Sequence, residues 1–500
     1  MLGNAASRVL GLGREAVIVG LFGLTASTSA FLTAATVPTM VFDLLVGGAI
    51  SAALIPVLSG YRDGDHEEEF GRVAGAMLAL TIVATAALTA LLELGAPLLV
   101  DALGAGGRAD VADETTRMLR IVLPSVVLLG SSGVLQGILQ SRGIFRYTAI
   151  SASCFNLGII VGGLALARVL GPSALAIGVL LGATLQVVVQ LPGLRGIRLR
   201  MVPDLGSPGV RRTLRLYGPV AAGLVLTQVG IVIDRNLAWG TGESSIALMR
   251  SATTLVQLPL GLVATATSLA VLPSLSRAAD DESAFLGTLA FGVRLALLAM
   301  LPTTVGLVLL REPVIHLLFQ RGAFTPDNTV LTGQAFLWYA PQMPFWAIDQ
   351  LLIFAFYARK DTVTPVLVGV LGTLLYLLVA LTTVAPLGVF GLILANTVQN
   401  SAHCLVMYLL LVRRGLALNG QGLERLLIRC LLACLGAWAV FAAASGVLGP
   451  PPASALGNLV WLAVVGAAMV VAIVAVLAAL RTSELIDLAT ALRRRFGGAG

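Results

Sequence analysis

The stretch Ser7-Arg8-Val9-Leu10-Gly11-Leu12-Gly13-Arg14-Glu15 puts two arginines and a glutamate at the head of an apolar run that continues through Ala16–Phe22. A charge at the bilayer centre costs about 2.5–3.5 kcal/mol on insertion scales, so such groups normally face a partner or a wet cavity. At about 100° per residue, Arg8 and Glu15 share one helical face, and Arg14 lies about a third of a turn away. Two guanidinium groups with one carboxylate leave a net positive site, suited to a phosphate or pyrophosphate. Arg8 fits equally a cytoplasmic flank that snorkels to the headgroups. Arg14 and Glu15, followed by Ala16–Phe22 with no polar residue, fit the cavity better.

A second charged group is Asp234-Arg235-Asn236, set in an otherwise apolar segment with Gln228 before it. Neighbouring residues on a helix point about 100° apart, so Asp234 and Arg235 cannot share a face. Asp234 is a candidate for holding a proton or a sodium ion, or for pairing with Arg235 or Arg250. Asp43 and Asp349 are single carboxylates among apolar neighbours, candidates for salt bridges to Arg14, Arg250 or Arg294. Asn156, Gln186, Gln190, Gln257, Asn396, Gln399 and Asn400 read as interhelical hydrogen-bonders, worth ~0.6 kcal/mol each. His316 and His403 stand isolated, and nothing has a zinc spacing. Cys154, Cys404, Cys430 and Cys434 read as packing thiols.

Nothing here has the form of an enzyme. The only lysine is Lys360, in Arg359-Lys360-Asp361, so no glycine loop ends in the Gly-Lys-Ser/Thr that cradles a phosphate. No cofactor is expected; sodium, protons or the membrane potential remain as energy sources. The basic residues are spread over many short loops without exposed aromatics, which argues against nucleic acid.

The elements that must hold these residues are membrane spans. The chain has 500 residues, 57% hydrophobic and 11% charged, with a mean hydropathy of +0.95. Apolar runs of about 20 residues recur throughout, the mark of a polytopic helical membrane protein. We count about fourteen spans: 7–24, 29–59, 73–100, 118–140, 147–169, 174–194, 217–239, 245–276, 286–310, 331–357, 363–385, 388–411, 426–447 and 457–480. Loops after even-numbered spans collect arginine, from Arg62 and Arg72 to Arg493, Arg494 and Arg495, whereas odd-numbered ones hold few. That alternation predicts both termini in the cytoplasm. The first run leads straight into a second, so no cleavable signal is expected.

Ala30–Ser59 laid over Ala247–Ser276 gives about eleven identities in thirty positions, among them Ala35/Ala252, Ser51/Ser268, Pro56/Pro273 and Ser59/Ser276. Both segments run from outside to inside, so the repeat is a parallel one about an axis along the membrane normal. This predicts an N-lobe of six spans over 1–200, a C-lobe of six over 201–415, and two appended spans with a basic tail over 416–500. At the same offset Val225, Ile231 and Val232 fall opposite Arg8, Arg14 and Glu15, so the positive site belongs to the first lobe alone. Two lobes about a cleft lined with arginine fit alternating access of an anionic, lipid-like solute.

The chain resembles the MurJ (MviN) family of lipid II flippases, in the multidrug/oligosaccharidyl-lipid/polysaccharide exporter superfamily. Beside the opening stretch, the resemblance rests on Gly48–Val57, Gln190-Leu191-Pro192, Leu272–Ser276, Leu318–Phe324 and Phe356–Val366. It implies a transporter in the bacterial cytoplasmic membrane that turns undecaprenyl-pyrophosphate-linked peptidoglycan precursor from the inner to the outer leaflet. It also implies that Arg8, Arg14 and Glu15 serve the substrate, and that Asp234 matches the span-seven aspartate of a sodium site. The family's arginines of spans two and eight fall at Phe42 and Thr254, and Arg250, one turn before Thr254, is placed to substitute for the second. A flippase for another polyprenyl-linked glycan, or a non-transporting scaffold that recruits cell-wall synthesis proteins, are the alternatives.

Overall fold

Backbone amides and carbonyls find no water in hydrocarbon, so a chain this apolar must satisfy them internally. The computed structural model describes residues 2–45, 51–61 and 66–482, and these carry helices and no strand. The expected basic tail at Arg493–Arg495 and part of the stretch Gly48–Val57 lie outside the described residues. Nine helical stretches among them are long and apolar enough to cross a membrane by length and composition. They fall at expected spans three to six, nine and eleven to fourteen, and helices occupy the described residues of the other five expected spans.

The chain divides into two compact units, Met1–Leu248 with Gly322–Phe324, and Met249–Arg321 with Thr325–Gly500. The first holds α1 (Leu2–Phe22), α2 (Ala26–Leu45), α3 (Ser51–Ser59), α4 (Glu67–Leu94), α5 (Ala96–Ala102), α6 (Ala109–Val122), α7 (Ser125–Ser141), α8 (Arg146–Leu170), α9 (Ser173–Val188) and α10 (Pro208–Thr241). Where one expected span becomes two helices, the residues say why. Gly95 separates α4 from α5, and Pro124 caps α7 where α6 has ended at Val122. One core gathers Ile18 of α1, Phe31 and Val37 of α2, Met118 and Val122 of α6, and Leu175 and Val179 of α9. A second gathers Leu54, Phe70, Met77, Leu135 and Val210.

The turn from α1 to α2 depends on Gly23. Its φ is +68°, and a Cβ there would lie 2.7 Å from the carbonyl oxygen of Ala323. The tripeptide Gly322–Phe324 therefore belongs with this unit: the Ala323 amide donates to the Gly20 carbonyl at 2.8 Å, and Phe324 is buried.

The helix α11 (Ser245–Arg277) begins in the first unit and passes into the second. There follow α12 (Glu282–Leu309), α13 (Arg311–Phe319), α14 (Pro326–Tyr339), α15 (Gln342–Ala358), α16 (Val363–Leu387), α17 (Val389–Arg413), α18 (Leu423–Leu448) and α19 (Ala455–Ala479). Side-chain caps start three of them: Asp281 accepts from the Ala284 amide, Thr325 from Asn328, and Ser454 from Gly457. The last two helices pack on α12, through Leu426, Cys430 and Leu477 against Leu297, Leu298 and Leu301. Asn458 of α19 donates to the Pro313 carbonyl of α13 at 2.8 Å.

The stretch Phe356–Val366 forms a clamp at the α15–α16 turn. Asp361 Oδ1 accepts from the amides of Val363 and Thr364, and Oδ2 accepts from the Thr364 hydroxyl and from Arg414 at the end of α17. Arg414 also lies over the Phe356 ring, and Arg359 over Phe285. The Thr364 bonds, with Arg414 behind them, hold the Asp361 carboxyl down to about 2. A carboxylate held below its unfolded value of about 3.9 stabilises the fold above that pH and ceases to as pH falls toward 2. Asp361→Asn is expected to cost about 0.5–2 kcal/mol at neutral pH, as a weakened cap does. Thermal unfolding in detergent checks it: the gap between the two proteins should close as pH drops from about 4 toward 2. A gap unchanged across that window would mean that the carboxylate charge is not what matters.

Candidate functional site

Helix α1 lies along α8. Gly163 of α8 sits against Val17 and Leu21, and Gly11 of α1 against Asn156. Arg14 belongs to the same stripe, three and seven residues before Val17 and Leu21. Its Nη1 donates to Asn156 Oδ1 at 3.0 Å, and its Nη2 lies 4.0 Å from Glu15 Oε2. Asn156 Nδ2 donates in turn to the Ser7 carbonyl of α1 and to the Ala152 carbonyl of its own helix, both at 3.2 Å. One amide thus ties α1 to α8 at two points about two turns apart. The Glu15 side chain is wholly buried, and that of Arg14 keeps 16% of its surface exposed. Arg8 is exposed. A guanidinium that donates to a neutral oxygen, has a buried carboxylate 4.0 Å away and keeps some surface open can take an anionic ligand.

What holds α8 in place is α9. A Cβ on Gly158 would lie 2.2 Å from the Gly182 Cα, and one on Gly162 would lie 2.5 Å from the Gly178 Cα. Backbones approach this closely only where both faces are glycine. Asn156 stands two residues before Gly158, so the glycine seam sets the depth at which Asn156 meets Arg14.

Asp234 is half-buried on α10. Val232 and Trp239 pack against the first unit's core, Trp239 donates to Thr33, and Asn236 donates to the Ala102 carbonyl at the end of α5. These three fall within about 60° of arc, and Asp234 points roughly the opposite way. Arg250 is half-buried on α11 in the other unit, where its carbonyl accepts from the hydroxyls of Thr253 and Thr254. Of the expected site residues, then, the structure joins Arg14 to Glu15 through a shared environment, places Arg8 exposed on the same helix, and sets Asp234 on another helix of that unit.

One pairing was missed. His403, read as isolated, places Nδ1 2.7 Å from Asp349 Oδ1. Next to it Asn400 donates to Gln342 at 2.6 Å, and Thr397 to the Trp338 carbonyl. The signal was present: Asn396, Gln399, Asn400 and His403 recur every three or four residues, one polar stripe on an apolar helix. Among the described residues no three His, Cys, Asp or Glu side chains are placed to hold a metal ion.

A family model described as lipid II flippase MurJ matches residues 18–449, beginning just past Arg14 and Glu15. The lipid II flippase MurJ of Burkholderia cenocepacia is 28% identical over 444 residues, covering 86% of each chain. A probable lipid II flippase MurJ of Vibrio cholerae is 29% identical over 435 residues, covering 83% of this chain and 81% of its own. Among solved structures, a lipid II flippase MurJ in an inward closed conformation aligns with a TM-score of 0.80 at 22% identity, over 94% of this chain and 97% of its own. An inward-facing multidrug resistance MATE family transporter of the MOP superfamily aligns at 0.69 and 16% identity, over 82% of this chain and 94% of its own.

Proposed function

The chain belongs to the lipid II flippase MurJ family, and on that premise we propose that it carries lipid II from the inner to the outer leaflet of the bacterial cytoplasmic membrane. It is a transporter that works by alternating access, without covalent chemistry. The observation that supports the substrate is Arg14, an arginine in the second half of α1 that donates to Asn156 and is neighboured by a buried carboxylate. The lipid's pyrophosphate supplies the negative charge such a fixed cation attracts, and a guanidinium fork matches phosphate oxygens better than an ammonium does. Glu15 lowers the net charge of the site, so the anion is held loosely enough to leave. Arg8, exposed six residues earlier on α1, is our second candidate for contact with the lipid, and Arg250, in the other unit, a separate one.

Six spans over 1–200, six over 201–415 and an appended pair after 416 remain our reading of the organisation, with both termini in the cytoplasm and wall-synthesis proteins as partners. Asp234 is our candidate for a coupling cation site, as a half-buried carboxylate in a largely apolar stretch of α10.

The direct test is depletion of the resident flippase in a bacterium that expresses this chain. Growth and wall synthesis should continue, and purified protein in liposomes should carry lipid II between leaflets. Rescue of growth with no lipid II movement in liposomes, or competition only by a different polyprenyl-linked glycan, would overturn the assignment of the head group.

A further inference from the structure

We propose that Asp349 and His403 form a proton-binding site, whose loading tightens the contact between α15 and α17 during transport; the transport role rests on the function proposed above. Asp349 stands midway along α15 and His403 past the middle of α17. Their side chains keep 11% and 14% of their surface exposed, and the two polar atoms are 2.7 Å apart. The Cδ2 of the ring lies 3.8 Å from where a Cβ on Gly372 of α16 would stand. The ring thus links α17 to α15 and lies beside α16.

The chemistry of that ring supplies two states. Neutral imidazole has one N–H, and the doubly protonated ring has two. Only the doubly protonated ring makes the 2.7 Å contact with the Asp349 carboxylate an ion pair as well as a hydrogen bond. Loading also changes the pair from a net charge of −1 to zero, which is the favoured direction in a low-dielectric interior. Histidine is the side chain whose charge changes near neutral pH.

Few other groups compete. From α16 the titratable side chain is Tyr376; from α12 they are Glu282 and Arg294, and the Arg294 guanidinium donates to the Gln421 carbonyl. From α14 there are Asp327 and Tyr339, and on α15 itself Tyr357. On α17 there are Cys404, beside Asp349, and then Tyr408 and Arg413. Glu282, Asp327 and Arg413 stand at helix ends. The pair is the one carboxylate–imidazole contact among these helices' described residues, and the neutral bond between Asn400 and Gln342 extends the polar seam beside it.

Two measurements test the proposal. Protein labelled with nitrogen-15 at histidine, in lipid nanodiscs, is titrated from about pH 5 to pH 9 and the His403 ring resonances are followed. They should move between neutral and doubly protonated shifts, and Asp349→Asn should displace that transition to lower pH. Lipid II translocation in liposomes is then measured over the same range. The wild-type rate should vary about fivefold or more across it, His403→Gln should give a flat profile, and exchange of the two residues, Asp349→His with His403→Asp, should restore a pH dependence. Elution as a monodisperse species and an unaltered unfolding temperature show which variants are folded, and the titration reads the wild-type protein regardless. A His403 ring that keeps one form throughout, or a His403→Gln profile matching the wild type, overturns the proposal. If wild-type protein moves no lipid II at any pH, the functional reading fails, while the titration still decides the proton site.

Discussion

A chain carrying Arg14→Ala is expected to reach the membrane in normal amount and to move no measurable lipid II. The substitution deletes the cation that meets Asn156 and lies 4.0 Å from the buried Glu15. Charge-assisted bonds to a phosphate contribute about 1.5–3 kcal/mol each, which corresponds to roughly 10- to 150-fold in binding. The wholly buried Glu15 is left with less positive charge beside it, so the site also becomes less hospitable to an anion. Arg14→Lys keeps the charge but not the fork, and should retain part of the rate. Asn156→Leu separates charge from placement, since it leaves the guanidinium and removes the acceptor at 3.0 Å. Initial translocation rates in liposomes, normalised to inserted protein, read all three. Full rescue of a flippase-depleted cell by Arg14→Ala would remove the physical support for the site.

Gly158→Leu should do more, because it attacks the seam that positions Asn156. The added Cβ alone would stand 2.2 Å from the Gly182 Cα, where no side chain can move aside to make room. Helices α8 and α9 must separate, and overpacking of this kind costs about 1–3 kcal/mol, more where backbone blocks relaxation. The expected outcome is a lower yield of folded protein and a lower unfolding temperature. Translocation should fall further than the surviving protein accounts for, as Asn156 shifts against Arg14. Gly369→Ala on α16 is the control. Nothing lies within 4 Å of a Cβ there, so it should be neutral or slightly stabilising. Equal behaviour of the two variants would mean that the close approach of α8 and α9 is not needed.

Much of this was readable from residue types. Apolar length and arginine-bearing loops mark out spans, and the tandem helices occur where Gly95, Pro124 and Pro341 interrupt them. Arg14 and Glu15 are conspicuous because charge is rare in such company. Their partner is not, since Asn156 lies 142 residues away and its approach depends on glycines that face a third helix. The same reason hid His403: spans ten and twelve meet only once the fold exists, and nothing in the order of the chain brings Asp349 to it. Periodicity showed Arg8 and Glu15 on one face but said nothing of depth, and one is exposed while the other is sealed.

The short insert Gly322–Phe324 bears on how the protein is made. A ribosome releases residue 248 well before it reaches residue 324, so the early unit waits for a tripeptide translated only after 249–321. Until then the Gly20 carbonyl lacks the Ala323 amide that the finished protein supplies. Assembly of the early unit therefore cannot finish co-translationally in simple N-to-C order. Cutting the gene after codon 248 and co-expressing the fragments would require the later piece to complete the earlier one.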